Sequence, residues 1–291
     1  MKGPIKLNSK ILNGTEVSKK IRNALKSEVT ELKQKGIKVG LAVIIIGDDP
    51  ASRVYVNRKK KACDEIGIDS FEYALEESTK ESELLELISR LNKDQTVNGI
   101  LVQLPLPKHI NEENVICAID PKKDADCFHP INVGRLMIGD PEFLPCTPSG
   151  VMELLQDAGV EIAGKECVVV GRSNIVGKPQ AIMLLAKSGT VTVCHSKTKD
   201  LEEVCRRADI LVVAIGKPEF IKGNAIKPGA VVIDVGMNRT KDNKLVGDVE
   251  FSSAALVASA ITPVPGGVGP MTIAALMKNT VKAAKLQFGI S

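Results

Sequence analysis

Short runs of consecutive apolar residues alternate along the chain with longer stretches in which apolar residues recur every three or four positions. The short runs are rich in β-branched residues and predict strands buried on both faces, whereas the periodic stretches predict the helices that cover them. Strands are expected at residues 41–46, 71–75, 99–104, 167–170, 191–194, 210–214 and 231–235, and helices at 52–66, 81–91, 111–118 and 271–288, with others between the later strands. This alternation indicates an α/β fold built on parallel sheets.

The alternation lapses between Ile119 and Pro148, in a region rich in proline, glycine and aspartate, and then resumes. Such a break predicts two α/β domains that are joined near residues 146–150. We expect a first domain at 1–146, completed by a C-terminal helix at 270–291, and a second domain at 147–269. The second domain is expected to be a Rossmann-like, doubly wound parallel sheet, with a ligand cleft between the two domains.

Composition narrows the classes of function. The 291 residues carry a net charge of +4, and only 3% of them are aromatic, which is few for a protein that stacks nucleic-acid bases. The longest apolar run is far shorter than a membrane span. Seven cysteines form no C-x-x-C pair, which indicates neither a disulfide framework nor a metal site. We expect a cytoplasmic protein without nucleic acid, membrane or metal, whose mild basicity suits an anionic small ligand.

The segment 171–177 follows a predicted strand and precedes a predicted helix, which is the position of a dinucleotide-binding turn. Gly171 permits a tight turn, and a helix N-terminus offers free N–H groups to a pyrophosphate. Ser173 replaces the second glycine of the usual fingerprint, so an ordinary structural turn is the alternative interpretation.

The end of the next strand predicts which nucleotide binds. Enzymes that use NAD place a carboxylate there to hold the ribose 2′-hydroxyl, but after Cys194 the chain has no carboxylate before Asp200. Arg172, Ser196 and Lys197 instead offer the cations and hydroxyl donor that suit a 2′-phosphate. We therefore predict NADP, although Lys197 by itself can equally be a solvated surface lysine.

The predicted helix 52–66 has a lysine on its apolar face. At 100° per residue, one face collects Ser52, Tyr55, Val56, Lys59, Ala62, Cys63 and Ile66. Lys59 can extend along this stripe and keep its amine in water. Alternatively, its amine is partly desolvated, with Arg58 and Lys60 as possible like-charge neighbours. Both effects lower its pKa and suit it to proton transfer near neutral pH.

Three other features are candidates for binding or chemistry. Gln103 stands near the carboxyl end of a predicted parallel strand, where ligands bind, or it is a polar strand cap. Asp124 and Asp126 point opposite ways in an extended segment, so only one can face a ligand, unless both belong to an Asp-rich turn. The glycine-rich segment 262–272 lets backbone approach a ligand closely, with Thr272 at the start of the final helix, or it is a structural loop.

Nine segments, in order over nearly the whole chain, resemble the bifunctional methylenetetrahydrofolate dehydrogenase/cyclohydrolase family. They are Y-V-x-x-K from Tyr55, VQLPLP from Val102, PKKDAD from Pro121, HPINVGRL from His129, PCTPSG from Pro145, VVVGRSNIVGKP from Val168, VTVCHSKT from Val191, KPGAVVIDVGMN from Lys227 and TPVPGGVGPMT from Thr262. The resemblance implies oxidation of 5,10-methylenetetrahydrofolate by NADP⁺ and hydrolysis of the 5,10-methenyl product to 10-formyltetrahydrofolate, in one-carbon metabolism. It also implies a homodimer formed through the cofactor-binding domains.

The resemblance further implies the site residues. Lys59 is the principal catalytic residue, assisted by Tyr55 and Gln103, and Asp126 holds the pterin ring. The reduced folate is bound in the first domain by Tyr55, Lys59, Val102, Gln103, Leu104 and Asp126, and by the glycine-rich loop through Pro265, Gly266, Gly267, Gly269 and Pro270. The NADP of the second domain is bound by Gly171, Arg172, Ser173, Ile175, Ser196, Gly216, Met237 and Thr272.

Two residues depart from the family pattern. Cys127 stands where the family usually has glycine, and it is strained if the position requires a positive φ. Met237 stands where isoleucine is common. Two other functions are alternatives: a shikimate- or amino-acid-type NADP dehydrogenase that shares only the second domain, and a non-catalytic NADP-binding sensor. The first leaves the lysine helix and VQLPLP unexplained, and a sensor has no need of Lys59.

Overall fold

The computed structural model describes residues 9–290. Its strands are β1 (Lys10–Ile11), β2 (Gly40–Ile46), β3 (Asp69–Leu75), β4 (Gly99–Val102), β5 (Glu166–Val170), β6 (Thr190–Cys194), β7 (Ile210–Val213), β8 (Val231–Asp234), β9 (Asn238–Arg239), β10 (Leu245–Val246) and β11 (Ala260–Ile261). Its α-helices are α1 (Gly14–Gln34), α2 (Pro50–Ile66), α3 (Glu81–Lys93), α4 (Glu112–Ala118), α5 (Pro130–Met137), α6 (Cys146–Asp157), α7 (Gly177–Ala186), α8 (Leu201–Arg206), α9 (Phe251–Ala254) and α10 (Val268–Gln287).

The chain divides into two units, which we name by their sheets. The three-stranded unit comprises residues 19–146 and 273–290, and the six-stranded unit comprises residues 9–18 and 147–272. No helix within residues 9–290 is both long enough and apolar enough to cross a membrane.

The three-stranded unit is built around β2, which pairs in parallel with β3 on one side and β4 on the other. Every residue of β2 is buried. Alternate side chains of the strand pack into two separate clusters, one with residues of α1, α2 and α10 and the other with residues of α3 and α4. Burial on both faces explains why this strand is a continuous apolar run in the sequence.

The six-stranded unit has the strand order β1-β11-β8-β7-β5-β6, and every pair in this sheet is parallel. The chain passes from β5 to β6 on one side and then returns to β7 on the other side of β5. In a doubly wound sheet, nucleotides bind at the carboxyl ends of the strands where this reversal occurs. The predicted α/β fold with a doubly wound parallel sheet is confirmed.

Several expectations about single elements need correction. Helix α1 was not predicted, nor were the short strands β1, β9, β10 and β11. The region 119–148 is not without regular structure, because α5 lies within it and α6 begins at Cys146, where a linker was expected. Strand β4 ends at Val102, which leaves Gln103 just beyond it. Helix α10 begins at Val268, so Thr272 lies in its second turn rather than at its start.

Candidate active site

Helix α2 holds Lys59 on its buried face. The helix begins with Pro50, and the Oδ2 atom of Asp49 accepts a hydrogen bond from the Ser52 amide at 2.7 Å. Lys59 is 7% exposed, whereas Lys61 is exposed. The predicted helix and the predicted orientation of its faces are therefore confirmed.

The Lys59 amine is fixed by a side chain from another element. Its Nζ atom donates to Oε1 of Gln103 at 3.0 Å. The backbone N–H of Gln103 donates to the Ile44 carbonyl at 2.8 Å, and its side-chain Nε2 donates to the Leu104 carbonyl at 2.7 Å. Because the backbone and the side-chain amide of Gln103 are both hydrogen-bonded, its Oε1 faces Lys59 in one orientation. Gln103 is therefore more than a polar cap of the strand.

Burial dominates the electrostatics around Lys59. Desolvation lowers the pKa of its amine, and attraction to Asp126 opposes this shift without cancelling it. Desolvation also raises the pKa of Asp126, while Lys59 and a hydrogen bond with Cys146 act in the opposite direction. Two groups that would be fully charged in water are thus both shifted towards their neutral forms.

Cys146 was missed as a neighbour of the site. It is buried, and its Sγ lies 3.3 Å from the carbonyl oxygen of Ala125. Burial holds the pKa of this thiol well above its ordinary value, so the thiol keeps its proton and can donate to the Asp126 carboxylate. Asn279 of α10 supports the same segment, since its Nδ2 donates to the Ala125 carbonyl at 2.9 Å. The signal available in the sequence was the position of Cys146 in the PCTPSG segment.

The two aspartates of the KDAD segment have different surroundings. Asp124 is 3% exposed, and its carboxylate accepts the amides of Phe128 and His129 and the Nδ2 of Asn132 at 2.8–3.2 Å. These bonds fix the turn that leads into α5, so Asp124 supports the fold. Asp126 interacts with Lys59 instead, and it lines a cavity of about 20 Å³, room for one water molecule, together with Val102 and Leu104.

Cys127 has the conformation that glycine favours. Its φ is +62°, it is fully buried, and its Sγ lies 3.4 Å from the carbonyl oxygen of Phe143. The condition under which cysteine is strained at this position is therefore met. The strain is accompanied by packing, because the side chain joins Phe143 and Ala283 in one buried cluster.

In the six-stranded unit, two glycines shape the turn between β5 and α7. A Cβ at Gly171 would lie 2.2 Å from the Ala214 carbonyl oxygen, and one at Gly177 would lie 2.2 Å from the Gly171 carbonyl oxygen. The Oγ of Ser173 accepts the amides of Val176 and Gly177 at 3.2 Å each. The Ser173 side chain therefore stabilises this turn, which explains why serine can stand where the usual fingerprint has glycine.

Exposed cations and hydroxyls lie at the carboxyl ends of β5 and β6. Arg172 and Ser173 are exposed after β5, and Ser196 and Lys197 are exposed after β6. The β6 turn is ordered by its own bonds, since the Lys197 amide donates to Nδ1 of His195 at 3.1 Å. This donor set fits the phosphates of NADP.

The other residues predicted to bind NADP also lie in this unit. Gly216 has a φ of +66° and follows β7, and Ile175 is half-buried in the turn before α7. Met237 is half-buried, and a Cβ at Gly269 would lie 2.9 Å from its methyl carbon. The Thr272 hydroxyl lies 3.1 Å from that of Thr147. The structure therefore brings Met237 and Gly269 together.

The glycine-rich loop packs against the start of α1. The Thr15 amide donates to the Gly266 carbonyl at 3.1 Å, and a Cβ at Gly14 would lie 1.8 Å from the Gly267 carbonyl oxygen. Gly266 has a φ of +104°. Pro265 is exposed and Pro270 is half-buried. These contacts give the loop a structural role, whatever it binds.

Comparisons with known proteins agree over both units. The family described as tetrahydrofolate dehydrogenase/cyclohydrolase, catalytic domain, matches residues 12–126, and tetrahydrofolate dehydrogenase/cyclohydrolase, NAD(P)-binding domain, matches residues 145–288. A protein of Acetivibrio thermocellus named bifunctional protein FolD is 73% identical over 281 residues, which are 97% of this chain and 99% of that protein.

Two solved structures are similar throughout. The bifunctional FolD enzyme of Campylobacter jejuni is 52% identical, with a TM-score of 0.94 over 96% of this chain and 99% of that one. FolD of Trypanosoma brucei, solved with NADP cofactor and an inhibitor, is 42% identical, with a TM-score of 0.93 over 96% of this chain and 98% of that one. With matches to both domains and this identity over nearly its whole length, the chain belongs to the tetrahydrofolate dehydrogenase/cyclohydrolase family.

Proposed function

We propose that the protein oxidises 5,10-methylenetetrahydrofolate with NADP⁺ and then hydrolyses 5,10-methenyltetrahydrofolate to 10-formyltetrahydrofolate. The observation that carries this proposal is the buried Lys59 amine, held by Gln103 and electrostatically coupled to Asp126, in a chain of this family. A lysine in this environment suits proton transfer rather than surface solvation.

The dehydrogenase step needs mainly alignment. Loss of hydride from the methylene carbon leaves a cation shared between N5 and N10, so no strong base is required. NADP⁺ supplies the hydride acceptor when it is bound. The side chains of Tyr55, Gln103 and Asp126 orient the folate, and this orientation supplies the rate advantage of a fixed geometry.

The cyclohydrolase step needs proton movement. Water adds to the methenyl carbon and gives up one proton, which leaves a hydroxyl group on that carbon. The bond from that carbon to N5 then breaks, the hydroxyl loses its remaining proton to solvent and becomes the formyl carbonyl, and N5 gains a proton. Lys59 accepts the first proton and returns one to N5, because its lowered pKa makes the neutral amine accessible. Gln103 holds the amine in the orientation that this exchange requires.

Asp126 binds the pterin ring in this proposal. A carboxyl group can pair with the ring N–H and the exocyclic amino group of a pterin. Burial raises the pKa of Asp126, and Lys59 and the Cys146 thiol offset part of that rise, so these two neighbours favour the ionised form that accepts such bonds. Cys146 therefore supports the binding form of Asp126.

The cofactor is NADP rather than NAD. Arg172 and Ser196 are both exposed at neighbouring strand ends, and residues 194–199 contain no carboxylate that would repel a 2′-phosphate. We expect NADP⁺ to be preferred by at least about tenfold in kcat/KM. Replacing Arg172 with Ala should weaken NADP⁺ far more than NAD⁺, and equal kcat/KM values for the two nucleotides with the unaltered protein would contradict this assignment.

The two alternative functions fit less well. A shikimate- or amino-acid-type dehydrogenase that shares only the second domain does not account for the match over residues 12–126, which includes Lys59 and Gln103. A sensor would not require a buried lysine amine beside a carboxyl group. One absorbance assay separates all three: adding methylenetetrahydrofolate and NADP⁺ should produce reduced nicotinamide and then a methenyl chromophore that decays.

The proposal includes a cytoplasmic homodimer formed through the six-stranded units. All seven cysteines are free thiols, which suits a reducing compartment. Strand β6 is an edge of its sheet, where Val193 is 39% exposed, and Leu185 of the adjacent α7 is 62% exposed. An apolar sheet edge of this kind favours association.

A further inference from the structure

Two buried carboxylates join the loops that follow β7 and β8 in the six-stranded unit. Asp248 is fully buried, and Asp234, the last residue of β8, is 3% exposed. Neither residue was predicted from the sequence to belong to the site, and neither takes part in the proposed reaction.

The Asp248 side chain accepts four hydrogen bonds, three from the loop after β7 and one from β9. Its Oδ2 accepts the amides of Ile215 and Gly216 at 2.7 and 3.0 Å. Its Oδ1 accepts the amide of Lys217 at 2.8 Å and Nδ2 of Asn238 at 2.9 Å. Because four donors converge on its two oxygens, this side chain determines the path of residues 215–217 and ties it to Asn238.

The side chain of Asp234 holds the backbone around Asp248 in place. Its Oδ1 accepts the amides of Gly236 and Asp248, and its Oδ2 accepts the amide of Val249, each at 2.9 Å. Two glycines leave the space that the two aspartate side chains occupy. A Cβ at Gly236 would lie 2.3 Å from the Asp248 carboxyl carbon, and one at Gly247 would lie 1.8 Å from Oδ2 of Asp234. No side chain fits at either position without displacing a carboxylate.

The position of these loops in the sheet indicates which part of a dinucleotide they serve. In a doubly wound fold, the ribose that follows the glycine turn is held at the end of the next strand, which here is β6. Strands β7 and β8 lie on the opposite side of β5. The adenosine half with its 2′-phosphate therefore belongs to the β6 side, and the nicotinamide half belongs to the loops after β7 and β8.

We propose that Asp248 is a positioning residue for the nicotinamide half of NADP⁺. It acts through Gly216, whose amide it binds directly, and through Asn238, which is adjacent to Met237. This role rests on the proposed function, because it presumes that the unit binds NADP⁺. It deepens that function by separating the residues that place the nicotinamide from those that recognise the 2′-phosphate.

The test compares two ligands in Asp248→Asn. Asparagine keeps the size of the side chain but turns one acceptor oxygen into a donor that faces backbone amides. Isothermal titration should find NADP⁺ bound at least about tenfold more weakly. Adenosine 2′,5′-bisphosphate has the 2′-phosphate but no nicotinamide, and its affinity should change by less than about twofold. Asp242→Asn, at an exposed aspartate of the same unit, should leave both affinities unchanged.

The remaining outcomes are distinct. Unchanged NADP⁺ affinity, or an equal loss for both ligands, would overturn the positioning role. Hydrolysis of methenyltetrahydrofolate needs no nicotinamide, so wild-type hydrolysis by the variant shows that the chain is folded. If Asp248→Asn does not fold, Asn238→Ala removes only one donor to the carboxylate, and the same comparison of ligands decides the question. If the unaltered protein bound neither ligand, the proposed function itself would fail.

Discussion

A buried amine is destabilising unless other groups compensate for the loss of water, and Lys59 has two such groups. Gln103 accepts one of its hydrogen bonds, and Asp126 supplies an opposing charge. Neither restores the ordinary pKa, because desolvation is the larger effect. The environment of this one residue therefore accounts for both its cost to the fold and its suitability for proton transfer.

Lys59→Met should remove the cyclohydrolase activity and leave some dehydrogenase activity. Methionine retains the apolar stem, so α2 should still pack, but the proton carrier is lost, and general acid–base help is typically worth about 10²–10⁴-fold. The measurement is the decay of methenyltetrahydrofolate absorbance above the spontaneous rate. Lys61→Met, on the exposed face of the same helix, is the matched control. Wild-type hydrolysis by folded Lys59→Met would place the proton carrier elsewhere.

The cyclohydrolase rate should depend on the protonation of Lys59. The amine accepts a proton only when it is neutral, so the enzymatic rate should rise with pH as Lys59 deprotonates. Since burial lowers its pKa, this rise should occur below the ordinary lysine value of about 10.4. The pH profile, corrected for spontaneous hydrolysis, should show this limb in the unaltered protein and lose it in Lys59→Met. A profile that is the same in both proteins would contradict the assignment.

Cys127→Gly should be tolerated. Glycine removes the cost of a positive φ, about 1–2 kcal/mol, but it loses the packing of Sγ against Phe143 and increases the entropy of the unfolded chain. These opposing changes leave the free energy of unfolding within about 1 kcal/mol of the original, and the KM for folate should stay close to normal. Urea denaturation and initial-rate kinetics measure the two quantities.

Cys205→Gly is the contrasting substitution, because Cys205 is equally buried but lies in helix α8 and has no positive φ. There glycine brings no relief of strain, so the loss of stability should be larger than at Cys127.

A large loss of folate binding in Cys127→Gly would show that the cysteine is an adapted part of the site.

At the scale of single residues, the sequence predicted what depends on local periodicity and little else. The buried face of α2 follows from helical spacing, and so does the place of Lys59 on it. The pairing of Lys59 with Gln103, and the contact of Cys146 with Asp126, join residues far apart in the chain. Only the folded chain, or resemblance to a family, brings such residues together.

At the scale of elements, the signals differ in strength. Strands buried on both faces appear as unbroken β-branched runs, which is why β2 and β5 were predicted almost to the residue. Helix α1 was missed although Val17, Ile21 and Leu25 follow one another at helical spacing, so its signal was present. Strands β1 and β11 have two residues each and are defined by backbone pairing alone, which no pattern of side chains encodes.

The turn between β5 and α7 should not accept a side chain at Gly177. In Gly177→Ala the new Cβ would meet backbone atoms of Gly171 and Arg172 at 2.2–2.8 Å, and backbone cannot yield as a flexible side chain can. We expect a loss of about 1–3 kcal/mol in stability and at least about tenfold weaker NADP⁺ binding. Gly134→Ala is the control, since open space surrounds Gly134 within α5. That change should stabilise the protein by about 0.5–1 kcal/mol.

At the scale of the molecule, each unit has its own sheet and its own buried core. The three-stranded unit contains the lysine, glutamine and carboxyl groups suited to the folate chemistry. The six-stranded unit contains the turns and exposed cations suited to NADP⁺. This division explains why substitutions in one unit are expected to separate hydrolysis of the methenyl compound from oxidation of the methylene compound.

The proposed homodimer should depend on the β6 edge of the six-stranded unit. Strand β6 pairs only with β5 among the described strands, carries no charge or proline, and exposes Val193, with Leu185 of α7 also exposed. Pairing of two such edges, or packing of their apolar side chains, would cover this surface. Sedimentation velocity should find the unaltered protein at twice the monomer mass, and Leu185→Glu combined with Val193→Lys should convert it to monomer. Ile138→Lys, at a 78% exposed residue of the other unit, should leave the dimer intact. A monomeric unaltered protein, or a dimer sensitive only to Ile138→Lys, would show that the β6 edge is not the interface.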